Sequence, residues 1–155
     1  MKKIIIISSI ILIVDQLIKL LISNFTLYHG ITVIKDFFTI IYVRNTGAAF
    51  SILEGNRLLL IAISLFALFM FYFILRKQKL SKFDIISYGF LIGGILGNLF
   101  DRIVRGYVVD YLDFKIFNHY FPVFNLADSF IVIGIILIMI KIIRGDKNAN
   151  DSEKW

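Results

Sequence analysis

Cysteine is missing from all 155 residues, which excludes disulfides, thiolate nucleophiles and cysteine-ligated metals and leaves the redox compartment unspecified. Histidine is nearly missing as well. His29 and His119 are the only two, neither has a second ligand at metal-binding spacing, and no zinc site or other resident cofactor is expected. Pro122 is the single proline. Charge is scarce at 18%, against roughly 25% in soluble domains. What fills the space is apolar: 59% of residues are hydrophobic and the mean hydropathy is +0.85. An integral membrane protein follows. The net charge of +6 does not point to nucleic acid, because the basic residues gather at the ends of apolar runs, which is a membrane-topology pattern.

The apolar runs predict four spans, at about 4–23, 58–75, 84–104 and 123–143, within a single membrane domain over 1–155. The first begins like a secretory signal peptide but lacks a small-residue cleavage site and carries Asp15, Gln16 and Lys19. It is therefore expected to be a retained helix. Asp15 and Lys19, four apart, share a face. Two readings stand: an ion pair near the helix end with Lys19 reaching for the interface, or a brace for an inward-facing polar site. Between the first two spans, at about 25–56, β-branched and aromatic residues punctuated by Gly30, Gly47 and Gly55 predict short strands on the membrane surface. Within them Arg44 to Phe50 is a turn of small residues, either a polar hairpin end or a backbone-exposing loop on which Asn45 offers an amide to a peptide.

In the third span Gly93 and Gly97 have the spacing for close helix packing. Gly94, Asn98 and Asp101 fall on one face, polar and turned inward. Asn125 precedes Asp128 by three residues, as in a helix cap with an acidic third residue. The tail, 144–155, is polar. Four spans place both termini on one side. That side carries Lys2, Lys3, the basic loop from Arg76 to Lys82, Lys141 and the tail, ten Lys and Arg in all against six in the other connections, so both termini are expected in the cytoplasm. The strands and Asp101, Asp110 and Asp128 then lie near the outer face.

Asp110 and Asp128 follow the third span and open the fourth, so they can meet across one pocket. Two close carboxylates share a proton, one activating water while the other donates, which is aspartic peptidase chemistry. Spacing alone leaves Asp101 and Asp113 as available acids.

The motifs Asp15-Gln16-x-x-Lys19, Asn45-x-Gly47-x-Ala49-Phe50, Gly97-Asn98-x-x-Asp101-Arg102, Val108-Val109-Asp110-Tyr111 and Phe124-Asn125-x-Ala127-Asp128-Ser129 occur in this order. With the four spans, they resemble the lipoprotein signal peptidases, or signal peptidase II. The resemblance implies a mainly α fold of four transmembrane helices with a small β-rich segment on the outer surface, in a bacterial cytoplasmic membrane. It implies an aspartic endopeptidase that cuts prolipoproteins just before their diacylglyceryl-modified cysteine. Asp110 and Asp128 match the catalytic dyad. Asn45, Gly47, Asn98, Arg102, Asn125 and Ala127 match groups that position the substrate backbone and the dyad, and Asp15, Lys19 and Asp101 match structural braces. Tyr111 stands where many relatives have Phe. Asp110 is preferred to Asp101 as partner of Asp128 because Asp101 adjoins Arg102 and shares a face with Asn98. The expected partners are the lipid-modified substrate and membrane lipids, with the enzyme a monomer and no nucleic acid bound.

A magnesium-dependent lipid head-group transferase is the rival enzyme reading, through Asp101, Asp110 and Asp113, although an Asp-Gly pair ahead of an Ala-Arg is absent. A small channel or transporter subunit is the non-enzymatic one. Its weakness is that the acids gather at one side instead of along the membrane depth.

Overall fold

In a computed structural model, residues 1–25, 30–47, 52–117 and 119–145 are described. Four helices carry the chain: α1, Lys2–Phe25; α2, Arg57–Leu75; α3, Lys82–Val104; and α4, Leu126–Ile143. Each is long and apolar enough to cross a membrane. Isoleucine and leucine runs supply that length, and in α2 only Leu60 and Leu75 are buried. The side chains left outside include Leu58, Phe66 and Ile142, which suits a hydrocarbon surrounding. Helix starts are set by polar caps. The Ser81 hydroxyl and the Asp84 carboxylate satisfy each other's backbone N–H groups at α3, and Asn125 and Asp128 do the same at α4.

The third helix is the hub, packed along α1 and α4 and only lightly against α2. Its glycines permit this. A Cβ at Gly97 would stand 2.7 Å from Asp15 Oδ2 and 3.1 Å from the Ala127 Cβ, and one at Gly94 would run into the Ala127 carbonyl. Approaches this close from two neighbouring helices require glycine. At the opposite end of the bundle Lys141 Nζ meets Asp84 Oδ1 at 2.6 Å, tying the end of α4 to the start of α3.

Four antiparallel strands, β1 (Ile31–Ile34), β2 (Phe38–Asn45), β3 (Val108–Ile116) and β4 (His119–Tyr120), lie in the order β1-β2-β3-β4. They sit where α1 and α3 end and α2 and α4 begin, so the whole sheet caps one end of the bundle. The register pairs Val43 with Asp110, Arg44 with Val109 and Asn45 with Val108.

Three expectations need correction. The surface strands are not confined to 25–56: β1 and β2 end by Asn45, and β3 and β4 add the other two strands of the sheet, with β-branched and aromatic residues of their own. Residues near 25 belong to α1 rather than to a strand. The fourth helix begins at Leu126, not 123, because Asn125 caps it and Phe124 is held extended by a bridge to Leu112. The expected loop residues Ala48 to Phe50, His29 and the tail from 146 lie outside the described residues.

Candidate active site

Charge is buried where α1 meets α3. Lys19 and Asp15, i and i+4 on α1, are fully buried together with Asp101 of α3. Lys19 Nζ lies 2.9 Å from Asp15 Oδ2 and 3.0 Å from Asp101 Oδ2. Lys19 therefore points into the protein, and the reading that sent it to the interface is overturned: two carboxylates outbid water for the ammonium. Both acids also accept from neighbouring backbone. Asp15 Oδ1 accepts the Ala127 N–H at 3.1 Å, docking the first turn of α4, and Asp101 Oδ2 accepts the Val109 N–H at 3.1 Å, docking β3. Gln16, to which no role was assigned beforehand, donates to Asp101 Oδ1 and to the Gly97 carbonyl and accepts from Arg105, which also pairs with Asp101. Its place beside Asp15 was the available signal.

Three asparagines carry this rigid base to two further carboxylates. Lys19 can only donate, so it selects the Asn98 oxygen, at 3.0 Å. The Asn98 amide nitrogen is thereby turned to Asp128 Oδ1, at 2.7 Å. At the start of α4 the Asn125 oxygen accepts the Asp128 N–H at 2.9 Å. Its nitrogen is left to donate to Asp110 Oδ1 at 2.6 Å and Asn98 Oδ1 at 3.1 Å. Capping and site-building are done by one side chain. Asn45 repeats the device on β2: its oxygen takes the Gly47 N–H at 2.9 Å and its nitrogen donates to Asp110 Oδ2 at 2.7 Å. Asp128 Oδ2 accepts the Asn125 N–H at 3.1 Å. All four carboxylate oxygens of Asp110 and Asp128 thus receive an N–H.

Both acids open onto a cavity of about 920 Å³. Asn45, Asn98 and Arg102 line its polar side, and Phe124, Ile131 and Val132 are among its apolar walls. Arg102 Nη2 donates to the Gly47 carbonyl at 2.8 Å, holding the β2 turn over the cavity, while its Nε is buried without a partner among the described residues. Beneath, the Tyr111 hydroxyl accepts the Leu126 N–H at 3.2 Å, satisfying a free donor at the start of α4 that a Phe would leave open. Burial raises the Asp110 carboxyl to about 6, the negative charge of Asp128 adds to this, and the hydrogen bonds from Asn45 and Asn125 oppose it. A carboxyl protonated to about pH 6 beside a second carboxyl is equipped for paired acid and base catalysis. The other acids do not join them. Asp101 is committed to Lys19 and Arg105, and Asp113 lines a separate pocket with Lys35, Asp36 and Lys115. Among the described residues no group of three His, Asp or Glu is placed to hold a metal ion.

A family model described as signal peptidase (SPase) II matches residues 7–144. The chain belongs to the signal peptidase II family. This signal peptidase II chain is 45% identical over 139 residues to a protein named lipoprotein signal peptidase from Halothermothrix orenii, covering 89% of this chain and 93% of that one. A protein of the same name from Staphylococcus aureus is 36% identical over 151 residues, covering 96% and 93%. Among solved structures, a bacterial membrane enzyme determined by the in meso method at 1.9 Å resolution is 34% identical, with a TM-score of 0.82 over 95% of this chain and 96% of that one. A second, at 2.3 Å, gives a TM-score of 0.86 over 100% and 94%. The protein is a multi-pass membrane aspartic peptidase, and nothing in the site or among these relatives favours the transferase or channel readings.

Proposed function

We propose that this signal peptidase removes signal peptides from bacterial prolipoproteins, cutting before the diacylglyceryl-modified cysteine, with Asp110 and Asp128 as its catalytic dyad. The observation that carries this is the Asn125 side chain and backbone reaching both acids at one cavity. Asp110, the acid that keeps its proton to about pH 6, protonates the scissile carbonyl, while Asp128 takes a proton from the attacking water. Collapse of the tetrahedral intermediate transfers the proton to the leaving amine, the new N-terminus of the cysteine, and restores the dyad.

Asn98, Asn125 and Asn45 hold the dyad and, with Arg102, meet the substrate backbone; Gly47 leaves room for it. Asp15, Lys19 and Asp101 keep α1, α3, α4 and β3 in register, and Ala127 gives α4 its close seat on Gly97 and Gly94. The lipid anchors the cysteine at the interface and the signal helix stays in the bilayer, so the scissile bond is delivered to the helix ends where the cavity opens. The basic bias puts both termini in the cytoplasm and the cavity near the outer face. All groups named come from one chain, as suits a monomer.

The test is substrate choice. Purified enzyme given one precursor with and without diacylglyceryl on its cysteine should cut only the modified form, leaving that cysteine N-terminal. Equal cleavage of the unmodified precursor would remove the lipid from the reading.

A further inference from the structure

Four arginines stand at the sheet end of the bundle, and three spend their terminal nitrogens on protein. Arg57 donates through Nε and Nη2 to the carbonyls of Arg102 and Ile103, at 2.7 and 2.9 Å. Arg102 donates to Gly47, and Arg105 to Asp101 and Gln16. Arg44 differs. Its guanidinium lies 5.0 Å from the centre of the Tyr107 ring and 5.8 Å from that of Tyr42, and its Nε donates to the Tyr42 hydroxyl at 3.3 Å. Among the described residues neither Nη group meets an acceptor, and the side chain is exposed. The arginine is held in place while, among the described residues, the edge of its fork is open.

The two tyrosines extend the donor set. Their hydroxyls share one proton across 3.0 Å, so the second phenolic proton remains to donate outward. Strand alternation turns Arg44, between Val43 and Asn45, away from Asp110, and Arg44 lines the same cavity, so the cluster stands at the cavity's rim. Tyr42 also lies against Ser23 in the last turns of α1. Leu20 and Leu21, three and two residues before Ser23, are 52% and 55% exposed, about 3–5 Å lower along the axis. Exposed apolar side chains of α1 thus reach to within a turn of the guanidinium and its two flanking tyrosines, a level suited to phospholipid phosphates.

We propose that Arg44, Tyr42 and Tyr107 form a binding site for the phosphodiester of a phospholipid in the leaflet at the sheet end. Two non-bridging oxygens match the paired Nη donors of the fork, and the spare phenolic proton supplies a third bond. Acyl chains then descend beside Leu20 and Leu21. A lysine in place of Arg44 keeps the charge but not the fork.

Delipidated full-length protein in detergent, titrated with phosphatidylglycerol and read by native mass spectrometry, tests this. Wild type should retain one more lipid than Arg44→Gln, with at least about tenfold weaker binding in the variant, and Arg44→Lys in between. Diacylglycerol, without phosphate, should not distinguish wild type from Arg44→Gln, and millimolar glycerol phosphate should not displace the lipid. An equal thermal midpoint for Arg44→Gln checks its fold, which an exposed site leaves intact. Equal phosphatidylglycerol retention by wild type and Arg44→Gln overturns the site. Displacement by glycerol phosphate at lipid-like concentrations overturns the lipid as its source.

Discussion

Lys19 Nζ lies 3.0 Å from the Asn98 oxygen, and this contact decides which way the Asn98 amide faces. The same ammonium pairs with both Asp15 and Asp101, the latter shared with Arg105. Lys19→Met should therefore leave buried Asp15 without its cation and Asp101 with Arg105 alone, and lower stability by about 3–5 kcal/mol, the usual cost of breaking a buried pair from one side. Asn98→Ala should act differently, lowering turnover at least tenfold with a smaller loss of stability. Thermal unfolding in detergent alongside a cleavage assay separates the two; equal stability losses would mean that Asn98 serves only the packing.

The close approach at Gly97 gives a second expectation. Gly97→Ala puts a methyl where Asp15 Oδ2 and the Ala127 Cβ already stand. Overpacking of this kind costs about 1–3 kcal/mol, and here it also pries Asp15 from the Ala127 N–H. The midpoint of thermal unfolding should fall and activity with it, while Gly55→Ala, whose Cβ would meet nothing within 4 Å, pays only for its positive φ.

The ionisation of Asp110 near 6 sets the pH dependence. Its folded value lies above the ordinary 3.8, so the folded protein holds a proton that the unfolded chain has released between about pH 4 and 6. The proton is lost as pH rises through 6. With Asp110 as the acid, kcat/KM should carry an apparent ionisation near 6 and decline on its alkaline side, a value that belongs to the coupled pair. A profile flat from pH 5 to 8 would assign the proton donation elsewhere.

Because the chain has no cysteine, orientation can be read by single cysteines without background. Lys79→Cys in the basic connection should react with a membrane-impermeant maleimide only after the membrane is opened, and Tyr120→Cys, exposed on β4, without that step. The reverse pattern would invert the topology.

Much of the fold was legible because membrane spans announce themselves by apolar length, and the face shared by Gly94, Asn98 and Asp101 follows from helical spacing alone. The placement of Lys19 was not. An i,i+4 pair looks the same whether it faces lipid headgroups or another helix, and only the approach of α3, permitted by Gly93 and Gly97, supplies Asp101 and Asn98 as partners. The third and fourth strands were hidden for a related reason: Val108 to Tyr111 contains the residues that carry the chemistry, and a strand buried from Val108 to Tyr111 has no polar alternation to mark it. For Asn125 the cap was visible at three-residue spacing, but its second task depends on β3 crossing in front of α4, which is a long-range contact.

The most direct measurement is cleavage of a diacylglyceryl-modified prolipoprotein, with chelator present, by wild type, Asp101→Asn, Asp110→Asn and Asp128→Asn, each checked for folding. Wild type should cut, Asp110→Asn and Asp128→Asn should lose roughly a thousandfold or more, and Asp101→Asn should keep whatever rate its weakened brace permits. A folded Asp110→Asn enzyme that cuts normally while a folded Asp101→Asn is inactive would contradict the assignment of the dyad.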